Sequence, residues 1–368
     1  MERYRVLAIN PGSTSTKIAM FEEDTEIFNV NVAHDADKLA EFPEVSDQFA
    51  YRRDTILNVL KEKGITLDGV KAYAGRGGGL QSCAGGTYRV NDALLNDARN
   101  GTVGRHPAVL GSQIAHEFAT TYGGEAFIVN PPDIDELCDE ARITGLADIY
   151  RESRVHALNQ KETAIRVAKD LGTTYEAENF IVAHIGGGVS ITAHEKGKAI
   201  DNTDIINGEG PMTPTRAGAL PAVQFMDLCY SGKWTRDEMY KRITKEGGFV
   251  SHLGTSDARE VTKMIAEGDE YAALVYDAFI YQIIKNIGSM AAVLSGDVKA
   301  IILTGGIAND KDLVAKIKEK VSFVAPVEVR AGEFEMEALA SGALRVLHGE
   351  EEAREYTGVP VFQGFKRK

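Results

Sequence analysis

Between two apolar runs the chain reads Asn10-Pro11-Gly12-Ser13-Thr14-Ser15-Thr16-Lys17, a turn crowded with hydroxyls, one glycine and one lysine. Small residues let backbone N–H groups come close to phosphate oxygens, the hydroxyls of Ser13 and Ser15 add donors, and Lys17 adds charge. The order is not G-x-x-x-x-G-K-[ST], and strand-type sequence follows it, which excludes the nucleoside triphosphatase P-loop. His184-Ile185-Gly186-Gly187-Gly188-Val189-Ser190 is a second break, where three consecutive glycines cost backbone entropy without adding core. A third, Thr304-Gly305-Gly306-Ile307-Ala308, follows a buried-type strand and precedes a helical pattern over 310–320, a place where N–H groups meet an anion or a nucleoside. Each break alone is also what an ordinary tight turn looks like. All three at corresponding points argue against plain turn geometry and for a phosphate-bearing ligand.

Arg76 stands in Ala74-Gly75-Arg76-Gly77-Gly78-Gly79 and Arg216 in Met212-Thr213-Pro214-Thr215-Arg216-Ala217-Gly218. A guanidinium among glycines has little local packing to support it, so the pattern favours a bidentate carboxylate or phosphate over a solvated loop. His156 opens a helical pattern over 157–171, whose positive end favours the neutral ring; a purely structural histidine fits the spacing equally. In Thr255-Ser256-Asp257-Ala258-Arg259-Glu260, Asp257 with Glu260 reads as a capping box, and Asp257 with Arg259 reads alternatively as a contact to ribose and base.

The elements that position these residues fall into two similar blocks. Residues 4–10, 16–22 and 25–32 read as three antiparallel strands, followed by an amphipathic helix over 47–63 with Phe49, Arg53, Ile56, Leu57 and Leu60 at helical spacing. Residues 180–184, 189–195 and 197–201 read as a second meander, followed by helical patterns over 220–230, 235–246, 257–267 and 269–294 and a buried-type strand over 299–304. The last of those helices, through Leu274, Tyr276, Phe279, Ile280, Ile283, Ile284 and Ile287, is more apolar than a surface helix needs and reads as core first, interface second. The repeated order predicts two related α/β domains facing a shared cleft. We divide the chain as 1–153, 154–334 and 335–368, the crossover lying in 141–154 and the last amphipathic stretch returning to the first domain.

A chain of 368 residues exceeds one compact core. Its net charge of −13 argues against general affinity for nucleic acid or anionic membrane. The start, Met1-Glu2-Arg3-Tyr4-Arg5, leads into too short an apolar run for a signal peptide, and no stretch approaches the ~20 apolar residues that span a bilayer. Cys83, Cys138 and Cys229 form no C-x-x-C pair and read as small core residues, which suits a reducing cytoplasm.

Taken together, Ile9 to Lys17, Val155-His156-Ala157-Leu158-Asn159-Gln160-Lys161, Ala183 to Gly188, Gly254 to Arg259 and Leu303 to Ile307 closely resemble the butyrate kinases of the acetate kinase family, within the superfamily of actin, sugar kinases and heat-shock ATPases. The resemblance runs from Val6 to about Gly349. It implies a duplicated actin-like ATPase fold, ATP and Mg2+ as cofactors, and in-line transfer of the γ-phosphoryl group to the carboxylate of a short aliphatic acid. It assigns Arg76 and Arg216 to the carboxylate and the transferring group, His156 to an equatorial oxygen and Asn10 to phosphate orientation. His184 with Gly186, Gly187 and Gly188 would take the β and γ phosphates, and Asp257, Arg259, Gly305, Gly306 and Ile307 the nucleoside. Glu335, or alternatively Glu337, would associate with magnesium. It also implies an even homo-oligomer and metabolic coupling to a phosphotransacylase. Where the family has an aspartate after the strand over 126–129, this chain has Asn130, followed by Pro131-Pro132-Asp133-Ile134-Asp135.

Acetate kinases are bulkier where this chain has Gly77-Gly78 and Val155, so more apolar volume is expected here. Each buried CH2 of substrate adds ~0.8 kcal/mol, which favours butyrate or isobutyrate over acetate. The competing readings are a hydroxyl kinase with Asp133 or Asp135 as base, and an ATP-driven switch that makes no phosphorylated product.

Overall fold

The computed structural model describes residues 3–366. Met1 and Glu2, at the start read above as lacking a signal segment, lie outside them, as do Arg367 and Lys368. The chain forms two compact units: one runs up to Asp135 and resumes at Phe334, and the other is continuous from Glu136 to Glu333. The division expected at 153/154 therefore falls at 135/136. The reason is local bonding: Glu136 pairs with the Lys161 ammonium at 2.7 Å and accepts from the Ala199 N–H at 2.8 Å, while Arg151 pairs with Asp201 at 2.8 Å, so the crossover is tied into the second unit.

In the first unit, strands β1 (Arg5–Pro11), β2 (Ser15–Glu22) and β3 (Thr25–Ala33) form an antiparallel meander, and β4 (Val70–Gly75), β5 (Thr87–Arg89) and β6 (Glu125–Val129) extend the sheet on the other side of β1. β4 is parallel to β1 and β6 to β4. In the second unit, β7 (Asn179–Ile185), β8 (Val189–Glu195) and β9 (Lys198–Asn202) form the meander, with β10 (Ala300–Gly305) parallel to β7 and β11 (Val327–Ala331) parallel to β10. The last strand, β12 (Arg354–Glu355), joins the first sheet beside β5. Leaving out β5 and β12, the two sheets have one order, β3-β2-β1-β4-β6 and β9-β8-β7-β10-β11. β7 and β10 are buried along their whole length, which is why they read as unbroken apolar runs, whereas β3 is exposed or half-buried throughout.

Parallel neighbours need crossovers. Helix Glu270–Val293 supplies one and buries Tyr276, Phe279, Ile280, Ile283 and Ile287 against the second core, while Leu274, expected inside, is 63% exposed on the opposite face. Helix Phe49–Glu62 departs from its expected stripe: Arg52, Ile56 and Leu60 are the buried residues, at i, i+4 and i+8, and Arg53 turns out to Asp54 and Glu117. Helix Ala222–Cys229 buries none of its residues. Of the cysteines only Cys83 is buried; Cys138 and Cys229 are half-exposed, and all three are free thiols. Among the described residues no helix is long and apolar enough to cross a membrane.

Candidate active site

Each unit places its polar residues at the ends of its central strands. In the first unit the β1–β2 turn closes through Gly12 N–H donating to Ser15 O at 2.7 Å. Asn10 stands opposite Lys17 in the register, which puts both side chains on one face of the hairpin. The Asn10 amide donates to Glu335 Oε2 at 2.7 Å, and Arg76 Nη1 lies 3.5 Å from Glu335 Oε1. That Arg76 nitrogen is buried and makes no hydrogen bond. Glu335 opens helix Glu335–Leu347; Glu337, two residues on, points about 200° around the same helix and is not brought to Asn10.

The glycines around Arg76 are packed, contrary to the expectation of sparse surroundings. A Cβ on Gly75 would lie 2.2 Å from Gly111 O, and one on Gly111 would lie 2.4 Å from Arg76 O, so strand end and helix Val109–Tyr122 touch backbone to backbone. A Cβ on Gly77 would lie 2.9 Å from both Ile128 Cδ1 and Pro131 Cβ, so the apolar room expected there is filled by protein. Asn130 has a positive φ of 39°, which Asn tolerates, and exchanges bonds with Gly86, accepting its N–H at 2.8 Å and donating to its carbonyl at 3.0 Å. Its role here is to join the end of β6 to the approach to β5.

One residue of this set was not singled out from the sequence. His106 Nε2 lies 3.4 Å from Ser13 Oγ, and His106 Nδ1 accepts the Ala108 N–H at 3.2 Å, so in the neutral ring the proton sits on Nε2, toward the turn. Burial, then the charges of Arg76 and Arg52, hold this histidine below the ordinary range, against an opposing pull from Glu335. The only sequence signal is a histidine in Gly104-Arg105-His106-Pro107, just before a helix.

In the second unit His184, at the end of β7, stacks on His156 with ring centroids 3.8 Å apart and planes at 15°. Gly186 N–H donates to Gly188 O at 3.0 Å and closes the turn. A Cβ on Gly188 would lie 2.4 Å from Arg216 Nη1 and 3.2 Å from His156 Nε2, so only a glycine lets guanidinium and imidazole come this close to the backbone. Arg216 Nη1 is buried without a hydrogen bond. The protonation of His156 follows from its neighbours: Gln160 Nε2 donates to Ser190 O at 3.0 Å and to Ser190 Oγ at 2.8 Å, leaving the Ser190 hydroxyl hydrogen for His156 Nδ1 at 2.8 Å. The neutral ring then carries its proton on Nε2, beside Gly188. His184 Nδ1 in turn donates to Asn159 Oδ1 at 3.1 Å.

Gly187 also lines an open cavity of ≈ 1090 Å³ with Asp257, Arg259, Gly306 and Ile307, so the triple-glycine turn stands at one end of a nucleoside-sized space. Gly305 does not line it; with φ 89° it brings β10 so close to β7 that a Cβ would lie 2.4 Å from Ile185 O. Ile265 and Tyr276, also on the wall, had not been singled out as site residues; Tyr276 OH donates to Asp310 Oδ2 at 2.6 Å. Asp257 caps helix Ala258–Ala266 through the Arg259 N–H, and the Arg259 guanidinium holds its carboxyl down to about 2. The expected capping box is incomplete, because Glu260 accepts from the Thr255 hydroxyl instead. Among the described residues no group of three or more His, Cys, Asp or Glu is placed to hold a metal ion. A single carboxylate nonetheless suits Mg2+, which keeps several waters and takes the rest of its shell from substrate phosphates.

Residues 150–329 match the model of the Acetokinase family. The chain is similar in structure to Porphyromonas gingivalis acetate kinase, with a TM-score of 0.78 at 21% identity, covering 94% of this chain and 100% of that one. A propionate kinase from Francisella tularensis gives 0.73 at 18% identity, covering 92% and 98%, and Entamoeba histolytica acetate kinase gives 0.73 at 16%, covering 92% and 99%. At such identities the likeness establishes the fold, and with two sheets of one strand order it is the duplicated actin-like ATPase fold.

Proposed function

We propose, from a second unit that matches the Acetokinase family and a fold shared with acetate and propionate kinases, that this protein phosphorylates a small carboxylic acid at the expense of ATP. The observation that carries the reading is the convergence of Arg216 and His156 on Gly188, with His184 stacked on His156 and set against Gly186, in the turn whose Gly187 lines a nucleoside-sized cavity. Adenosine occupies that cavity between Asp257, Arg259, Gly306 and Ile307, and the polyphosphate runs along the glycine turn. A carboxylate oxygen forms a bond to the γ-phosphorus while the bond to the bridging oxygen breaks, giving acyl phosphate and ADP. The acid is already ionised at pH 7, so no general base is required. Charge on the equatorial oxygens meets Arg216 and the Nε2–H of His156, preorganised donors of the kind that dominate phosphoryl transfer.

In the first unit Arg76 receives the carboxylate, and Asn10 with Ser13, Ser15 and Lys17 orients phosphate. Glu335 is the residue that would hold Mg2+, which when bound would supply positive charge toward the phosphates. We assign butyrate or isobutyrate ahead of acetate. With the space beside Gly77 filled and a Cβ on Gly78 already 3.5 Å from Ala108 Cβ, the preference rests on Val155 being smaller than the residue acetate kinases carry there. The reaction is reversible, and acyl phosphate supplied by a phosphotransacylase would drive it toward ATP.

The test is trapping of acyl phosphate as hydroxamate with MgATP and a panel of acetate, propionate, butyrate, isobutyrate and a sugar. Hydroxamate with the acids supports the reading, and a larger kcat/KM for butyrate than for acetate supports the finer assignment. ADP release on sugar, or without any acceptor, overturns it in favour of a hydroxyl kinase or an ATP-driven switch.

A further inference from the structure

Arg52 is fully buried, and among the described residues no carboxylate pairs with it. Its guanidinium donates to Gln48 Oε1 at 3.0 Å, Ser15 O at 3.1 Å, Thr16 Oγ1 at 3.0 Å and Ser13 O at 3.4 Å. Three of those four acceptors belong to the β1–β2 turn, so the cation lies directly beneath it. Thr16 Oγ1, which accepts from Arg52, lies 2.8 Å from His34 Nε2, and His34 Nδ1 lies 3.2 Å from Tyr51 OH. Burial, then Arg52, hold that ring down to about 4, so at neutral pH it adds no second positive charge.

On the other side the same turn is open. Ser13 and Thr14 are exposed, and their backbone N–H groups donate to nothing among the described residues. The Ser13 and Ser15 carbonyls accept from the buried guanidinium, while the unpartnered amides belong to the exposed Ser13 and Thr14, and Ser13 Oγ lies 3.4 Å from His106 Nε2. A buried cation held by dipoles alone is costly, because its desolvation is recovered only when an anion comes within its field. An arginine used merely as a staple would be cheaper with a carboxylate beside it, or replaced by an apolar residue.

We propose that Arg52 is a positioning residue for phosphoryl binding: it holds the Gly12–Thr16 turn from beneath and lends its uncompensated charge to a phosphoryl group seated on the outer face. The inference rests on the reading of this turn as a phosphate-binding element. Its ligand is a phosphoryl dianion, whether the terminal group of a nucleoside triphosphate or the phosphoryl of an acyl phosphate.

Arg52→Gln and Arg52→Lys in the full chain test it. Neither variant can reproduce the four-acceptor fork, so both are expected to melt lower by similar amounts. Turnover is expected to part from stability: Arg52→Gln loses on the order of 10²-fold in kcat/KM, measured forward with MgATP and butyrate and in reverse with butyryl phosphate and MgADP, while Arg52→Lys keeps most of both. A loss in only one direction names the source of the phosphoryl group. Nuclear magnetic resonance adds a readout of charge: the His34 ring, held down to about 4 first by burial and then by Arg52, rises in Arg52→Gln and stays low in Arg52→Lys. Equal turnover losses in the two variants, in step with melting, overturn the proposal and leave Arg52 a staple. If the unaltered protein makes no hydroxamate, the functional reading fails by itself. Calorimetric binding of inorganic phosphate then decides, and must weaken in Arg52→Gln alone for the proposal to stand.

Discussion

A methyl group at residue 188 is the smallest change that separates positioning from folding. It would point at Arg216 Nη1 from 2.4 Å, and that atom is the far end of a flexible side chain, so the guanidinium can swing away without disturbing the turn. Gly188→Ala is expected to keep its melting temperature and lose on the order of 10²-fold in turnover, as when one preorganised donor is withdrawn. Arg216→Ala, which removes the cation altogether, is expected to cost on the order of 10³-fold with nucleotide affinity retained. Steady-state kinetics beside nucleotide titration checks both, and unchanged turnover in Gly188→Ala would mean that Arg216 acts from another position. Most of these residues were legible in the sequence because glycines and arginines in a polar turn have few reasons to coexist. His106 was not: a loop histidine before a proline has no periodic context, and only the fold brings it to Ser13. Arg52 escaped for a different reason. A stripe drawn through Arg53 treats its neighbour as surface, and the rotation of one residue that buries Arg52 depends on polar acceptors 37 residues away, which no local pattern reveals.

At the scale of elements, the meanders and the long core helix were readable because their apolar periods are clean, while the join of β4 to helix Val109–Tyr122 was not. Its rule is the absence of side chains: a Cβ on Gly75 would strike the backbone of Gly111, and one on Gly111 would strike the backbone of Arg76. Neither neighbour can yield as a side chain would. Gly75→Ala is therefore expected to destabilise by ~1–3 kcal/mol or more through overpacking, seen as a lower denaturation midpoint. Gly306→Ala, whose Cβ meets nothing within 4 Å, is the control and should fold normally. The readings built on glycine as spare volume and glycine as close packing thus divide at neighbouring positions, and only packing distances tell them apart.

Across the whole molecule, each unit carries a buried histidine kept neutral. His194 is held down to about 3 by burial and by Lys161, with Tyr175 OH 2.6 Å from its Nδ1; His34 is held down to about 4. Both start from an ordinary value of 6.5, so below that pH the unfolded chain binds protons that the folded chain refuses. Stability is complete above that value and falls by roughly 1.4 kcal/mol per pH unit for each ring below it, until the folded rings also protonate. Melting at pH 7.5 and pH 5 should show the loss, and His194→Gln should reduce it by about half, the His34 share remaining; equal melting temperatures at both pH values would mean that the rings are solvated. The first unit is also discontinuous. Thr87 Oγ1 donates to Gly342 O at 3.3 Å, and a Cβ on Gly342 would lie 2.4 Å from Val129, so the sheet made by the first 135 residues is covered by a helix encoded some 200 residues later. During translation the usual order of events is inverted: the second unit can close as soon as Glu333 has left the ribosome, while the first waits, its apolar face uncovered, for the helix that only the final stretch supplies. A nascent chain halted at that point should hold a protease-resistant second unit and a susceptible first one, and it is there, before release, that a chaperone would find something to bind.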